Sequence, residues 1–153
     1  MQLNLPEQKF KIKNVNQVLQ IFDSLRSKYV VLTPEEWVRQ NFVAYLINQK
    51  QYPESLINNE ISLLQNGIKR RCDTLIIDQS AQPLVIVEYK APSIKITQKV
   101  FDQIVRYNMA LHAKCLIVSN GLQHFCCRID YTNNTYSFLP DIPAYAEVLA
   151  FGE

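Results

Sequence analysis

Two predicted strands carry charged side chains whose types and spacing could do chemistry. Asp73 precedes the apolar run of one strand, and Glu88 and Lys90 follow the apolar run of the next. Because alternate residues of a strand point to the same side, Glu88 and Lys90 share one face of the sheet. Asp73 and Glu88 are 15 positions apart, the length of a hairpin that would bring both carboxylates together. The sequence therefore predicts two carboxylates and one ammonium group converging on one spot.

The two carboxylates offer hard oxygen ligands, which suit Mg²⁺ or its substitute Mn²⁺. Asp73, Glu88 and the backbone carbonyl of Tyr89 are the predicted metal ligands. Such an ion could polarise a phosphate and lower the pKa of a bound water. Lys90 could orient that water and stabilise charge that develops on the phosphate. Phosphodiester hydrolysis needs these parts and little covalent chemistry.

A solvated cross-strand ion pair is the alternative interpretation of Glu88 and Lys90. Such a pair contributes well under ~1 kcal/mol and would carry no function. However, Glu88 ends a buried-type run abruptly, and Asp73 begins another one. Charges beside two buried strands are costly unless they have a role, so we favour the catalytic interpretation.

Helical spacing of apolar residues predicts the elements around these strands. Thr33 is a suitable N-cap, Pro34 fits the first helical position, and Glu36 completes a Thr-x-x-Glu capping box. In this helix Glu35 projects within the apolar arc, whereas Glu36 points to its side. Helices are predicted over residues 14–28, 34–50 and 97–112, and the tail after Pro140 either docks loosely or forms a short helix from Ala144.

Strand patterns and turn signals predict a single sheet between the helices. Asn66-Gly67 is a strong hairpin signal, and Asn133-Asn134 starts a last short hairpin. The predicted strands cover residues 56–65, 69–78, 84–90, 115–119 and 124–131, with a short final strand ending at Phe138. The order predicts an α/β fold with a mixed sheet flanked by helices. We expect one domain over residues 1–153, with a core at about 30–140, an N-terminal helix and a short C-terminal tail.

The composition is that of an ordinary globular domain: 153 residues, 48% hydrophobic and 20% charged. The net charge of +2 is lower than the net charge expected of a dedicated DNA-binding domain. The polar N-terminus lacks a signal peptide, and no apolar run reaches membrane-spanning length. The four cysteines lack zinc-binding spacing and are expected to be buried free thiols. We therefore expect a soluble, cytoplasmic protein.

The charged residues also resemble a known signature. Asp73 followed by Glu88-Tyr89-Lys90 matches the PD-(D/E)xK nuclease pattern, with Cys72 in place of its proline. Over roughly residues 30 to 140, the chain looks like the N-terminal nuclease domain of type I restriction enzyme R subunits. The segments that carry the resemblance are residues 33–40, Arg70-Arg71-Cys72-Asp73, residues 87–92, Asp102-Gln103 with Tyr107-Asn108, and Ser119-Asn120-Gly121. This resemblance implies a restriction-endonuclease-like core.

The resemblance implies further site residues on the two helices that flank the strands. The family carries a helical glutamate followed four positions later by arginine, which Glu35 and Arg39 match; an exposed i,i+4 ion pair is the alternative. The family also carries a glutamine four positions before a tyrosine, which Gln103 and Tyr107 match. Tyr107 as part of the core, with Gln103 at its rim, is the alternative there.

Basic residues near the signature could contact phosphates, which would position DNA without reading its sequence. Strand alternation sends Arg71 to the same face as Asp73, while Arg70 points away. Lys69 and Arg71 could equally be the solvated end of a strand. Lys99, on the third predicted helix, could extend the same surface.

The expected function is a Mg²⁺-dependent DNA endonuclease, either the nuclease domain of a type I R subunit or a free-standing relative. The resemblance implies a helicase motor and other restriction-complex subunits as partners besides DNA. The chain itself has no G-x-x-x-x-G-K-[ST] loop, the phosphate-binding loop that such a motor carries. A non-catalytic DNA- or protein-docking module with a nuclease fold is the alternative. An RNA nuclease would share the same core.

Overall fold

A computed structural model describes residues 1–65 and 67–152, which form two sheets and three α-helices. The predicted turn at Asn66-Gly67 therefore lies partly outside the described residues. None of the described helices is long and apolar enough to span a membrane. All four cysteines are buried free thiols, as the sequence predicts.

The N-terminal region forms a three-stranded antiparallel sheet, so the helix predicted over residues 14–28 is wrong. Its strands are β1 (Ile12–Val15), β2 (Val18–Asp23) and β3 (Lys28–Val31), paired in that order. Asn16 and Gln17 adopt positive φ angles of 51° and 68°, which reverse the chain in a tight hairpin. The apolar residues of this short segment satisfy a period of two as well as a helical period, and the turn decides between them.

A six-stranded mixed sheet forms the centre of the molecule, in the order β4-β5-β6-β7-β8-β9. Neighbouring strands are antiparallel except for β6 and β7, which are parallel because helix α2 connects them. The strands are β4 (Ile57–Gln65), β5 (Ile68–Ile77), β6 (Pro83–Tyr89), β7 (Cys115–Ser119), β8 (His124–Asp130) and β9 (Thr135–Phe138). This arrangement confirms the predicted α/β class.

Helices cover both faces of the large sheet. The helices are α1 (Pro34–Asn48), α2 (Gln98–Met109) and the short α3 (Tyr145–Leu149). One core lies between the sheet and α1 with α3, and includes Phe42, Leu46 and Val148; the other core includes Phe101 and Val105 of α2. The predicted N-cap forms, because Thr33 accepts the N–H of Glu36; in α2, Thr97 accepts the N–H of Val100 in the same way.

Candidate functional site

Strands β5 and β6 bring Asp73 and Glu88 together at one end of the sheet. Thr74 pairs with Val87, so Asp73 and Glu88 follow at the next position of the two strands. The backbone N–H of Tyr89 donates to Oδ2 of Asp73 at 2.9 Å. The carboxylate of Asp73 is thereby held beside the end of β6.

Glu88 is the most perturbed acidic group of this site. Burial raises the pKa of Glu88 well above its ordinary value, and the charge of Asp73 and a hydrogen bond to it raise it further. The positive charges of Lys90 and Arg39 act in the opposite direction. Oε1 of Glu88 is buried and has no hydrogen-bond partner. Leaving a buried carboxylate oxygen without a hydrogen-bond donor is energetically costly. A cation bound at Oε1 would supply the missing partner, so the site is suited to a cation.

Lys90 follows β6 directly, and the parallel neighbour β7 fixes its backbone. Glu88 pairs with Val118 and Tyr89 with Ser119, and the N–H of Lys90 donates to the carbonyl of Ser119 at 2.9 Å. Lys90 is half-buried and close enough for its charge to act on Glu88. The structure therefore places Asp73, Glu88 and Lys90 in one site.

A chain of buried hydrogen bonds runs beneath the site to the N-terminal sheet. The hydroxyl of Tyr89 donates to Oγ1 of Thr74 at 2.9 Å, and Thr74 donates to Oδ1 of Asn59 at 2.7 Å. The amide of Asn59 donates to Oδ2 of Asp23 at 3.2 Å, and Arg26 donates to the same carboxylate at 2.5 Å. The small sheet is thus fixed to the strands that carry the site.

Arg39 of α1 connects the helix to the site carboxylates. Its guanidinium lies 2.8 Å from Oε1 of Glu36, 2.5 Å from Oε1 of Glu60 and 3.8 Å from Oδ1 of Asp73. It also lies over the Tyr89 ring, 5.7 Å from the ring centroid. Arg39 is only 5% exposed, so these interactions act with little solvent screening.

The helical glutamate that faces this network is Glu36, and the predicted inward placement of Glu35 is wrong. Glu35 is exposed, whereas Glu36 is buried and accepts hydrogen bonds from Arg26, Arg39 and Gln40. The reason is that the turn between β2 and β3 brings Arg26 to a side of α1 that the sequence pattern left open to solvent. Thr33 caps the helix, but the Glu36 carboxylate binds these cations and Gln40 instead of closing a capping box.

A groove of about 520 Å³ lies beside the carboxylate of Glu60, which Arg39 links to Asp73. Its lining combines β4, β5, α2 and the β2–β3 turn. Glu60 forms an ion pair with Arg71 within it. Burial alone would raise the pKa of Glu60, but Arg71 and Arg39 outweigh burial and lower it. The groove is lined by Arg26, Glu60, Ser62, Lys69, Arg71 and Tyr107.

The predicted helix residues are placed on the solvent side of α2. Gln103 and Lys99 are exposed, and Tyr107 lines the groove while 43% exposed. The buried face of α2 is formed by Phe101, Val105 and Asn108, so Tyr107 does not belong to the core. The structure brings Tyr107, Lys69 and Arg71 to one groove, and shows Gln103 and Lys99 only as exposed residues.

Three charged residues of the Arg39 network, Arg26, Glu36 and Glu60, were not predicted as site residues. Arg26 falls within the wrongly predicted helix. The sequence signal that could have revealed it is an Asx turn, in which Asp23 accepts the N–H groups of Leu25 and Arg26. Glu36 was assigned to the helix cap. Glu60 has a left-handed backbone with φ of 54° and lies between two paired positions of the β4–β5 ladder, which no sequence signal indicates.

The donor set of the site matches a hard divalent cation better than a zinc ion. The two close carboxylates supply oxygen ligands, and the four thiols are buried in the core. Among the described residues, no group of three or more His, Cys, Asp or Glu side chains is arranged to hold a metal ion. An ion here would need water, backbone or substrate oxygens besides Asp73 and Glu88, as is usual for Mg²⁺.

Comparison with known proteins identifies a family model and two solved structures that are similar to this chain. Residues 34–143 match the family model described as the N terminus of the type I restriction enzyme R protein. A fragment structure of a proposed HsdR subunit of a type I restriction enzyme from Vibrio vulnificus YJ016 superimposes with a TM-score of 0.56 at 20% identity. That alignment covers 77% of this chain and 25% of the other chain, so it shows the fold alone.

A second solved structure, the cryo-EM structure of a DrdV–DNA complex, has a TM-score of 0.45 at 18% identity. It covers 76% of this chain and 11% of that chain. No curated protein matches this sequence. The matched family region contains α1 and all six strands of the large sheet, while β1 to β3 precede it.

Proposed function

The chain belongs to the family of type I restriction enzyme R protein N termini, and on that premise we propose that it is a Mg²⁺-dependent DNA endonuclease domain. The observation that carries the proposal is the Asp73–Glu88 pair, in which a buried oxygen of Glu88 lacks any hydrogen-bond donor. Mn²⁺ is expected to substitute for Mg²⁺. The rest of an R subunit, including a helicase motor, and other restriction-complex subunits are the proposed partners besides DNA.

Asp73 and Glu88 would hold the cation, with the carbonyl of Tyr89 as a further ligand. When bound, such an ion supplies Lewis-acid activation of the scissile phosphate and of the attacking water. The Tyr89 N–H keeps the Asp73 carboxylate in place, and Arg39 adds a positive charge near its second oxygen. Both interactions leave Glu88 Oε1 as the ligand atom with no competing hydrogen bond.

Lys90 would orient the water and offset the charge that develops on the phosphate. Its backbone is fixed by the carbonyl of Ser119, so its side chain starts from a rigid point beside Glu88. Preorganised charge of this kind contributes about 100- to 1000-fold to rate. Removing the Lys90 side chain should therefore give the clearest loss of rate.

The groove beside the carboxylates would receive the DNA backbone. Lys69 and Arg71 are exposed along one side of it, and Tyr107 faces them from α2. Such contacts position a duplex without reading its bases. Gln103 and Lys99 would extend the contact along the exposed face of α2.

Nicking of supercoiled plasmid tests this function, with Mg²⁺ or with EDTA. We expect the wild-type chain to nick plasmid only with Mg²⁺, and Lys90→Ala to lose about 100-fold or more of that rate. Equal rates in the two proteins would overturn the proposal. If the wild type binds DNA but nicks none, the docking-module alternative is favoured.

Lys114→Ala is the matched control for Lys90→Ala. Both lysines flank the parallel pair β6–β7, but at opposite ends, since the N–H of Lys114 donates to the carbonyl of Leu84 at the start of β6. We expect Lys114→Ala to nick at the wild-type rate. This comparison separates the loss of a site residue from the loss of any lysine near the sheet.

A further inference from the structure

The small N-terminal sheet presents aromatic rings and lysines on its outer face. Strand register places these side chains together: Phe22 pairs with Tyr29, and the N–H of Phe22 donates to the carbonyl of Lys11. Lys13 and Val31 both pair with Gln20 in the next row. We name this surface the aromatic–lysine face; it comprises Lys11, Lys13, Val18, Phe22, Tyr29 and Val31.

The opposite face of the same sheet fixes it to the domain. Ile21 and Asp23 are buried, and Asp23 is bound by Asn59 of β4 and by Arg26. Because side chains alternate along β2, Phe22 points the other way. The aromatic–lysine face is therefore a supported platform, with Val18, Tyr29 and Val31 each more than a third exposed.

Charge on this face is entirely positive. Nζ of Lys13 lies 4.0 Å from the centroid of the Tyr29 ring, and Nζ of Lys11 lies 5.7 Å from that of Phe22. The described outward positions of β1 to β3 include no acidic residue. Residues 1–33 hold five Lys and Arg and two Asp and Glu, a balance of +3, whereas the whole chain carries +2. The positive charge of the chain is concentrated in this region.

We propose that the aromatic–lysine face binds single-stranded nucleic acid. Bases stack on exposed aromatic rings regardless of sequence, and lysines beside the rings follow the phosphates. A base can replace the ammonium over Tyr29 because both are attracted to the ring face, and the displaced Lys13 then reaches a neighbouring phosphate. Charge complementarity thus selects a polyanion with planar groups over an apolar protein partner.

The face is distinct from the carboxylate site but connected to its groove. The turn between β2 and β3 carries Arg26 into the groove that also holds Lys69 and Arg71. The inference stands whether or not the chain cuts DNA, because stacking and phosphate contact need neither Glu88 nor a metal.

Fluorescence anisotropy with a labelled oligodeoxythymidine of about 12 nucleotides, within the site size common for such platforms, tests the inference in EDTA. We expect the full chain to bind this probe, and Tyr29→Leu to weaken binding about tenfold. Tyr29→Phe should stay within about twofold, since the ring is kept. Leucine preserves apolar surface, so an apolar docking face would tolerate it.

Lys13→Gln covers the case in which Tyr29→Leu fails to fold, as judged by thermal unfolding. It should weaken binding and lower the salt dependence by about 0.7 in the log–log slope. Lys114→Gln, at the start of β7, is the charge-matched control and should bind like the wild type. Undetectable binding by the wild type, or equal affinity of the wild type and both variants, would overturn the proposal. Plasmid nicking can succeed or fail independently of either result.

Discussion

The backbone N–H of Tyr89 donates to the side chain of Asp73 across the β5–β6 pair, at 2.9 Å. This bond fixes the carboxylate of Asp73 to the backbone of β6, the strand that carries Glu88. The two acidic groups lie close together. Asp73 accepts this hydrogen bond, whereas Oε1 of Glu88 has no hydrogen-bond donor. This asymmetry supports the proposed cation site.

Replacing Glu36 with glutamine should destabilise the protein, whereas Glu35→Gln should not. Glu36 is 7% exposed and accepts hydrogen bonds from two arginines, each of which would lose one of its carboxylate partners. We expect Glu36→Gln to lower the free energy of unfolding by about 2 kcal/mol or more. Urea unfolding at pH 7 measures both variants.

Glu35→Gln is the internal control, because its side chain is exposed on the same helical turn. Its unfolding free energy should lie within about 0.5 kcal/mol of the wild type. A larger loss for Glu35→Gln than for Glu36→Gln would contradict the placement of Glu36 in the Arg39 network.

Asp23 should make stability depend on acidic pH. Burial would raise the pKa of Asp23, but hydrogen bonds from Arg26 and Asn59 outweigh burial and lower the pKa. A lowered folded-state pKa contributes stability that is present above the unfolded value of about 3.9, and that is lost as pH falls through the folded value. Asp23→Asn should therefore be less stable than the wild type at pH 7, with a smaller difference at pH 3.

Thermal unfolding of the wild type and Asp23→Asn across this pH range measures the effect. The N–H groups of Leu25 and Arg26 donate to one oxygen of Asp23, which asparagine keeps, so these two bonds should not contribute to the difference. A difference that is the same at pH 7 and pH 3 would show that the charge of Asp23 contributes nothing.

Lys69→Gln should reduce the salt dependence of duplex DNA binding. Each phosphate contact adds about 0.9 to the slope of log affinity against log salt. Arg71→Gln should change the slope less, because Arg71 already pairs with Glu60 in the groove. Titrations between low and moderate salt measure both slopes, and parallel slopes for wild type and Lys69→Gln would exclude Lys69 as a phosphate contact.

Sequence pattern was sufficient for the large sheet and its crossover. The strands of that sheet and helix α2 agree with prediction within a few residues, because apolar runs and turn signals there leave one interpretation. The capping role of Thr33 was predictable for the same local reason. The proximity of Asp73 and Glu88 followed from hairpin length and strand alternation.

Tertiary contacts decided what the pattern could not. Residues 14–28 fit helix and strand periods alike, and the turn at Asn16 and Gln17 selects strands. That error hid Arg26, the residue of the β2–β3 turn that pairs with Glu36, so the sequence pattern alone favoured Glu35 as the inward glutamate. The left-handed backbone of Glu60 costs about 1–3 kcal/mol, and its carboxylate pairs with Arg39 and Arg71, contacts visible only in three dimensions.

Calorimetric titration with Mn²⁺ tests the central claim most directly, because it requires neither DNA nor turnover. We predict that the wild type binds Mn²⁺ and releases protons, because burial and the charge of Asp73 raise the pKa of Glu88 and the ion binds only the deprotonated carboxylate. Two buffers with different ionisation enthalpies measure that release. Glu88→Gln and Asp73→Asn should lose the binding, while Glu35→Gln retains it. Binding of Mn²⁺ to Glu88→Gln as tightly as to the wild type would contradict the account.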